Sequence, residues 1–281
     1  MTHTLAIATI LFYIASTALN GVQLWRPSRR GKTNVATQAL LYAGFVSHTA
    51  IVINVLLDPR YILLSNSADY FLWASWGLAV AFVGLGKRLS SPLIGAFVVP
   101  LIVLFMGCSS YLLHQAATSL IDKQSSDQVR GVVLPLLHAI PALFAFVALV
   151  LALVVSAVFL IVEKRLKSKK RDVLDISAPN LQRLDALNRQ LVQVSFVSIS
   201  FVVLSGGLWA VSAQRPVFSD VVSVVSGIVT WILLALVLYL RLVKRCSNKQ
   251  FARFTLYVSG LFFLSVLFLL SASNTLSHGG V

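Results

Sequence analysis

Apolar runs of about twenty residues alternate with short polar connections along the whole chain. The longest begins at Val132 and has no charged residue before Glu163; seven charged residues then fall between Glu163 and Arg171. A hydrocarbon core of about 30 Å is crossed by roughly 20 helical residues. Eight runs meet that length, at about 4–24, 35–57, 68–85, 92–113, 133–162, 191–211, 221–242 and 254–272. Lipid offers backbone amides no partner, so spans of this kind must satisfy their hydrogen bonds internally. The predicted fold is therefore all-α: a polytopic bundle of eight transmembrane helices in a single integral membrane domain. The one long connection, 163–190, carries Leu181, Leu184 and Leu187 at every third position behind Pro179. That pattern predicts a short helix lying in the interface, inside a cytoplasmic loop.

Composition agrees with the pattern. Hydrophobic residues make up 58% and charged residues 11% of the chain, and mean hydropathy is +0.87. A soluble domain carries about 25% charged residues. The net charge of +14 would suit nucleic acid if the basic residues formed one patch. They do not. With the N-terminus outside, 19 of the 23 Lys and Arg fall in the loops after spans one, three, five and seven. Only Arg60, Lys123, Arg130 and Arg215 lie on the other side. This is the positive-inside pattern, and it removes nucleic acid as a partner. Both termini are expected in the periplasm of a bacterial inner membrane, and the lipid bilayer is the first partner. The first run has neither a basic n-region nor a cleavage site, so it reads as a retained span. Cys108 and Cys246 form no paired motif.

Candidate chemistry is sparse. Ionisable residues inside spans are functional hypotheses by default, and the runs hold almost none. Asp69 and Asp220 sit at outer ends, so an ion-coupled pump is disfavoured. His48 lies about 13 Å inside span two by helix rise. It serves either as a ligand or as a helix–helix hydrogen bond. His138, between Pro135 and Pro141, stands one turn inside span five near the outer face. It reads either as a ligand or as an interfacial residue bonded to backbone or water. His3, His114 and His278 also fall at or beyond the outer surface, with no HxxxH or HExxH spacing.

Several stretches resemble a known family. LPLLHAIPALFAFVALVLALVVSAVFLIVEKRLK resembles the histidine-bearing helix of cytochrome c assembly proteins of the CcsA/CcmC type. APNLQRLDALNRQLVQVSFVSISFVVLSGGLWA, ending in Gly206, Gly207 and Trp209, resembles the segment that follows it. SNSADYFLWASWGLAV and PLIGAFVVPLIVLFMG resemble earlier spans of the YpjD and HemX subgroup. The resemblance implies haem handling: His138 and His278 as the outer pair of ligands, His48 as the first membrane histidine, and Trp209 as the start of a tryptophan-rich WWD segment. The second membrane histidine falls at Tyr239, and a tyrosinate is the less common axial ligand. Between Trp209 and Trp231 the sequence is AVSAQRPVFSDVVSVVSGIV, without internal tryptophans and with Asp220 one place out of register.

The expectation is a haem-handling inner-membrane protein with haem b at outer-face histidines, an assembly factor rather than an enzyme, working with other cytochrome c assembly or membrane subunits. The alternative is a non-enzymatic accessory or regulatory subunit that keeps the scaffold with a degenerate haem site. A transporter ranks last, because no inverted repeat or GxxxG seam is visible.

Overall fold

The computed structural model describes residues 2–25, 30–58, 61, 63–64, 66–86, 91–119, 133–167, 180–212 and 221–278. Among these the regular structure is entirely helical. The helices are α1 (Thr2–Trp25), α2 (Arg30–Leu56), α3 (Ser67–Gly84), α4 (Pro92–Ser119), α5 (Val133–Lys167), α6 (Leu181–Ser212), α7 (Val221–Leu242) and α8 (Asn248–His278). Among the described residues six helices, α1, α2, α4, α5, α6 and α7, are long and apolar enough to cross a membrane. The expected runs and the helices coincide to within about five residues, except at α4, which ends at Ser119 rather than near 113, and at α6 and α8.

The chain divides into two compact units, Met1–Arg130 with Val162–Arg183 and Gly131–Ile161 with Leu184–Val281. In the first, α1 packs on α2 and α4, and α3 packs on α4 and α2. One face of α1 is polar yet buried: Thr9, Tyr13, Ser16, Asn20 and Gln23, at helical spacing. Each finds a partner across the helix pair or on its own backbone. Thr9 and Ser47 pair their hydroxyls at 2.8 Å, Ser16 donates to the Thr37 carbonyl at 3.2 Å, and Gln23 Nε2 donates to Thr37 Oγ1 at 2.7 Å. α3 begins at Asn66, whose side chain accepts from the Asp69 amide at 2.9 Å. Asp69 in that first turn also suits the positive end of the helix dipole. In the connection before α3, the Trp73 indole donates to the Tyr61 hydroxyl at 2.9 Å. Burial pushes that phenol above the ordinary tyrosine range, so it stays protonated.

In the second unit the hydrophobic effect falls on α5. Of its most apolar window 67% is buried, against 22% for α6 and 17% for α7. Ala148 to Ala152 is buried without interruption, as expected of a helix apolar on every side. Phe146 packs against Phe262 and Phe263 of α8, with ring centroids 6.2 and 5.3 Å apart. Trp231 of α7 stacks on Phe196 at 5.8 Å and donates its indole N–H to Ser200 Oγ at 2.9 Å.

The segment expected as a separate interfacial helix is the first part of α6. Asn180 caps it, its side chain accepting from the Gln182 amide at 2.8 Å. The helix then runs unbroken to Ser212. Leu184, Leu187 and Leu191 are buried and continue the stripe of Val192, Ser195 and Ile199, so packing carries the helix past the point where the apolar run was read to begin. Asp185 pairs with the Arg241 guanidinium. Arg241 also donates to the Cys246 carbonyl and to Asn248 Oδ1, each at 2.9 Å, and lies over the Phe251 ring. Ser247 and Gln250 form a reciprocal capping box at the start of α8, which explains why that helix begins six residues before the expected span.

Because Leu184 is 1% exposed, Leu184→Ala should cost about 2–5 kcal/mol. Leu181→Ala, at a half-buried position, should cost much less. Thermal unfolding in detergent separates the two. Equal, small losses would contradict the packing of this turn.

Candidate functional site

Two of the histidines carry described side chains, one in each unit. His138 projects from α5 onto α6. Its Nδ1 lies 3.0 Å from the Val202 carbonyl oxygen and 3.5 Å from Ser205 Oγ. The Ser205 hydroxyl donates to the Phe201 carbonyl at 2.6 Å. A carbonyl can only accept, so the bond to Val202 places the ring proton on Nδ1. Nε2 is then the lone-pair atom of a neutral imidazole, the form that ligates a metal.

The approach depends on Gly206. A Cβ there would stand 3.1 Å from both Cε1 and Nδ1 of His138. The imidazole thus lies directly on the α6 backbone at the turn whose carbonyl it uses. A Cβ at neighbouring Gly207 would meet nothing within 4 Å. The two glycines of the Gly-Gly-x-Trp ending are therefore not equivalent, and the first has a packing reason.

His48 of α2 is fully buried. Its Nδ1 is 3.5 Å from the Tyr13 hydroxyl of α1, and its Nε2 is 3.4 Å from Ser75 Oγ of α3. Ser75 spends its own proton on the Leu72 carbonyl at 2.8 Å, so it can only accept from Nε2–H. Tyr13 then donates to Nδ1. The Tyr13 ring meets the imidazole edge to face at 6.0 Å. It also presses on Gly44, one turn before His48, where a Cβ would come within 2.9 Å of Cε1. The imidazole links three helices, and each nitrogen faces a hydroxyl. Tyr13, Ser75 and Gly44 escaped the sequence reading. Tyr13 belongs to the polar stripe on α1, which a search for ionisable groups passes over; Ser75 and Gly44 carried no comparable signal.

Tyr239, at the position matched to a second membrane histidine, is 46% exposed on α7. Thr230 donates to the Ser226 carbonyl at 2.7 Å, and Trp231 is occupied in docking α7 on α6. The backbones of Trp209 and His278 belong to α6 and α8, but their side chains lie outside the described residues, as do those of His3 and His114. Asp220 lies outside them altogether. Among the described residues no three His, Cys, Asp or Glu side chains cluster as a metal site. What the described residues offer is one imidazole with its proton fixed against a carbonyl and one clasped between two hydroxyls.

A helical, multi-pass membrane protein with a backbone-anchored histidine at the start of its most buried helix is the class that this geometry defines. The chain belongs to the cytochrome c assembly family: the profile described as Cytochrome C assembly protein matches residues 64–279. Similar proteins include the cytochrome c biogenesis protein CcsA of Guillardia theta, 22% identical over 85% of this chain and 85% of that one. The CcsA of Trieres chinensis is 23% identical, covering 86% of each chain. That of Synechococcus sp. (strain RCC307) is 22% identical over 85% of this chain and 82% of its own length. No solved structure matches.

The close approach at Gly206 makes a sharp comparison. Gly206→Ala should displace the His138 ring, a packing cost of about 1–3 kcal/mol, whereas the unobstructed Gly207→Ala should be neutral or stabilising by up to about 1 kcal/mol. Ring nitrogen shifts of labelled histidine, read with thermal unfolding, report both. Equal effects of the two substitutions would contradict the contact.

Proposed function

We propose that this protein binds or passes haem b during cytochrome c assembly, with His138 as an axial ligand on the outer side of a bacterial inner membrane. The observation that supports this most is the Nδ1–H bond from His138 to the Val202 carbonyl. It fixes the tautomer, raises the basicity of Nε2 and holds the ring in one orientation, as second-shell partners of ligating histidines do. The donor set fits haem iron, which takes a neutral imidazole as axial ligand. Haem would supply the redox and ligand chemistry of the iron. The chain's own part is to orient the ring against Gly206 and to keep its surroundings dry. His278 is the proposed partner ligand, with Trp209 as an apolar wall beside it.

His48 is proposed as the ligand of a second, membrane-embedded site. That role requires His48 to give up its contact with Tyr13 or Ser75, since both ring nitrogens face hydroxyls. The topology that goes with this reading is eight spans with both termini outside, resting on the positive-inside distribution of Lys and Arg. Other cytochrome c assembly proteins or membrane subunits are the proposed partners.

A second reading is favoured by one specific observation. The stretch from Ala210 to Val229 has no tryptophan, so the segment expected to present haem is degenerate. On that reading the protein is an accessory subunit that keeps the helical scaffold.

Absorption spectra of the purified protein decide between the two. Haem handling predicts a Soret band with reduced b-type peaks, abolished in His138→Ala and weakened in His278→Ala. An unchanged spectrum in both variants transfers the ligand role to His48, and no haem in the parent protein favours the accessory subunit. Topology is checked separately. A reporter fused after Gly280 should read periplasmic and one within Lys164–Arg171 cytoplasmic, and the reverse at either site contradicts the eight-span arrangement.

A further inference from the structure

The first unit has an open cavity of mixed polar and apolar lining, and neither histidine lines it. It lies where α1 and α3 end and α2 and α4 begin, and has a volume of about 940 Å³. Ligand sites commonly fall between about 300 and 1,000 Å³. Its polar lining is Asn20, Asn34, Thr37, Gln38 and Ser91. These groups reach its floor as well as its mouth. Asn20 is 6% and Thr37 5% exposed, whereas Asn34 and Gln38 are exposed.

The floor is held in place. Asn20 Nδ2 donates to the Ser16 carbonyl at 3.1 Å. Its carboxamide lies against Gly95, where a Cβ would come within 3.0 Å of Oδ1. One turn further along α1, Gln23 Nε2 donates to Thr37 Oγ1. Gln23 is 3% exposed, and its Oε1 is buried with no partner among the described residues. Gln23 does not itself line the cavity; its bond fixes the hydroxyl of Thr37, which does. The apolar side of the cavity is Leu41, Phe82 and Val83, with Tyr42 at the mouth, 51% exposed.

We propose that this cavity binds an uncharged, oxygen-rich head group carried on an apolar tail. Asn34 and Pro92 are the first residues of two membrane-length apolar stretches, so the cavity sits at the level where the head of an amphipath rests. Carboxamides both donate and accept without charge. They therefore recognise carbonyl and hydroxyl oxygens alike, and no charged side chain is among the described lining residues. A carbonyl head accepts from the amide N–H groups; a hydroxyl head donates to amide oxygens. Two membrane molecules share this chemistry, an isoprenoid quinone or quinol and a diacylglycerol. The inference is independent of haem at His138.

The test uses the full-length protein in detergent and follows thermal unfolding. The probes are a decyl benzoquinone, dioctanoylglycerol and, as the anionic comparison, dioctanoyl phosphatidylglycerol. The proposal expects a saturable rise in Tm with the quinone or the diacylglycerol, and whichever saturates identifies the source. Gln38→Leu and Asn20→Leu should each weaken that binding by roughly tenfold, the value of one hydrogen bond. Gln38 is exposed at the mouth, so its variant keeps the test decisive if Asn20→Leu fails to fold. Saturation by neither uncharged probe, parent-like affinity in Gln38→Leu, or equal binding of the anionic lipid overturns the proposal.

Discussion

A buried polar group away from water must find its partner within the protein, and this constraint explains most of what is specific in the molecule. Leaving such a group unmade costs about 1–3 kcal/mol. The chain carries many uncharged polar residues in its helices, and the structure pairs most of them, on their own helix backbone or across helix interfaces. Tyr13, His48 and Ser75 tie α1, α2 and α3 together. Ser200 and Trp231 tie α6 to α7. His138 solves the same problem by reaching a main-chain carbonyl, with its ring close against Gly206. The chemistry of the imidazole follows from that packing. The bond that satisfies Nδ1 also makes Nε2 the lone-pair atom.

The two described histidines thus answer one constraint in different ways. His48 is enclosed between hydroxyls on two neighbouring helices. His138 is anchored through one nitrogen to a backbone that cannot itself titrate. Side-chain partners can rotate away, whereas a helical carbonyl is fixed by its own helix. An anchored ring is the better preorganised ligand, because less ordering remains to be done when a metal arrives.

Much of the fold was legible because lipid enforces it. The apolar runs set the helices almost residue for residue at Val221–Leu242, where polar segments flank the run on both sides. α6 was misjudged at its start because its first turns are amphipathic. Arg183, Asp185 and Arg189 broke the apolar count, while Leu184 and Leu187 remained in the core. Charge alone does not end a helix when the charged residues can face outward or pair, as Asp185 does with Arg241. The candidate site was legible in part. His138 stood out as a histidine near the start of the longest apolar run, but Val202 lies 64 residues away in sequence. The reason for Gly206 appears only once α5 and α6 are set side by side. Tyr13 and Ser75 are common residue types in membrane helices, and nothing in their spacing points to His48.

The central claim is that His138 offers Nε2 to haem iron while Nδ1 stays bound to the α6 backbone. Electron paramagnetic resonance of the oxidised, haem-loaded protein tests it most directly. The account predicts a low-spin, nitrogen-ligated signal in the parent protein. His138→Gly should convert it to high spin, and added imidazole, filling the space left by the ring, should restore it. A low-spin signal that persists unchanged in His138→Gly would contradict the account.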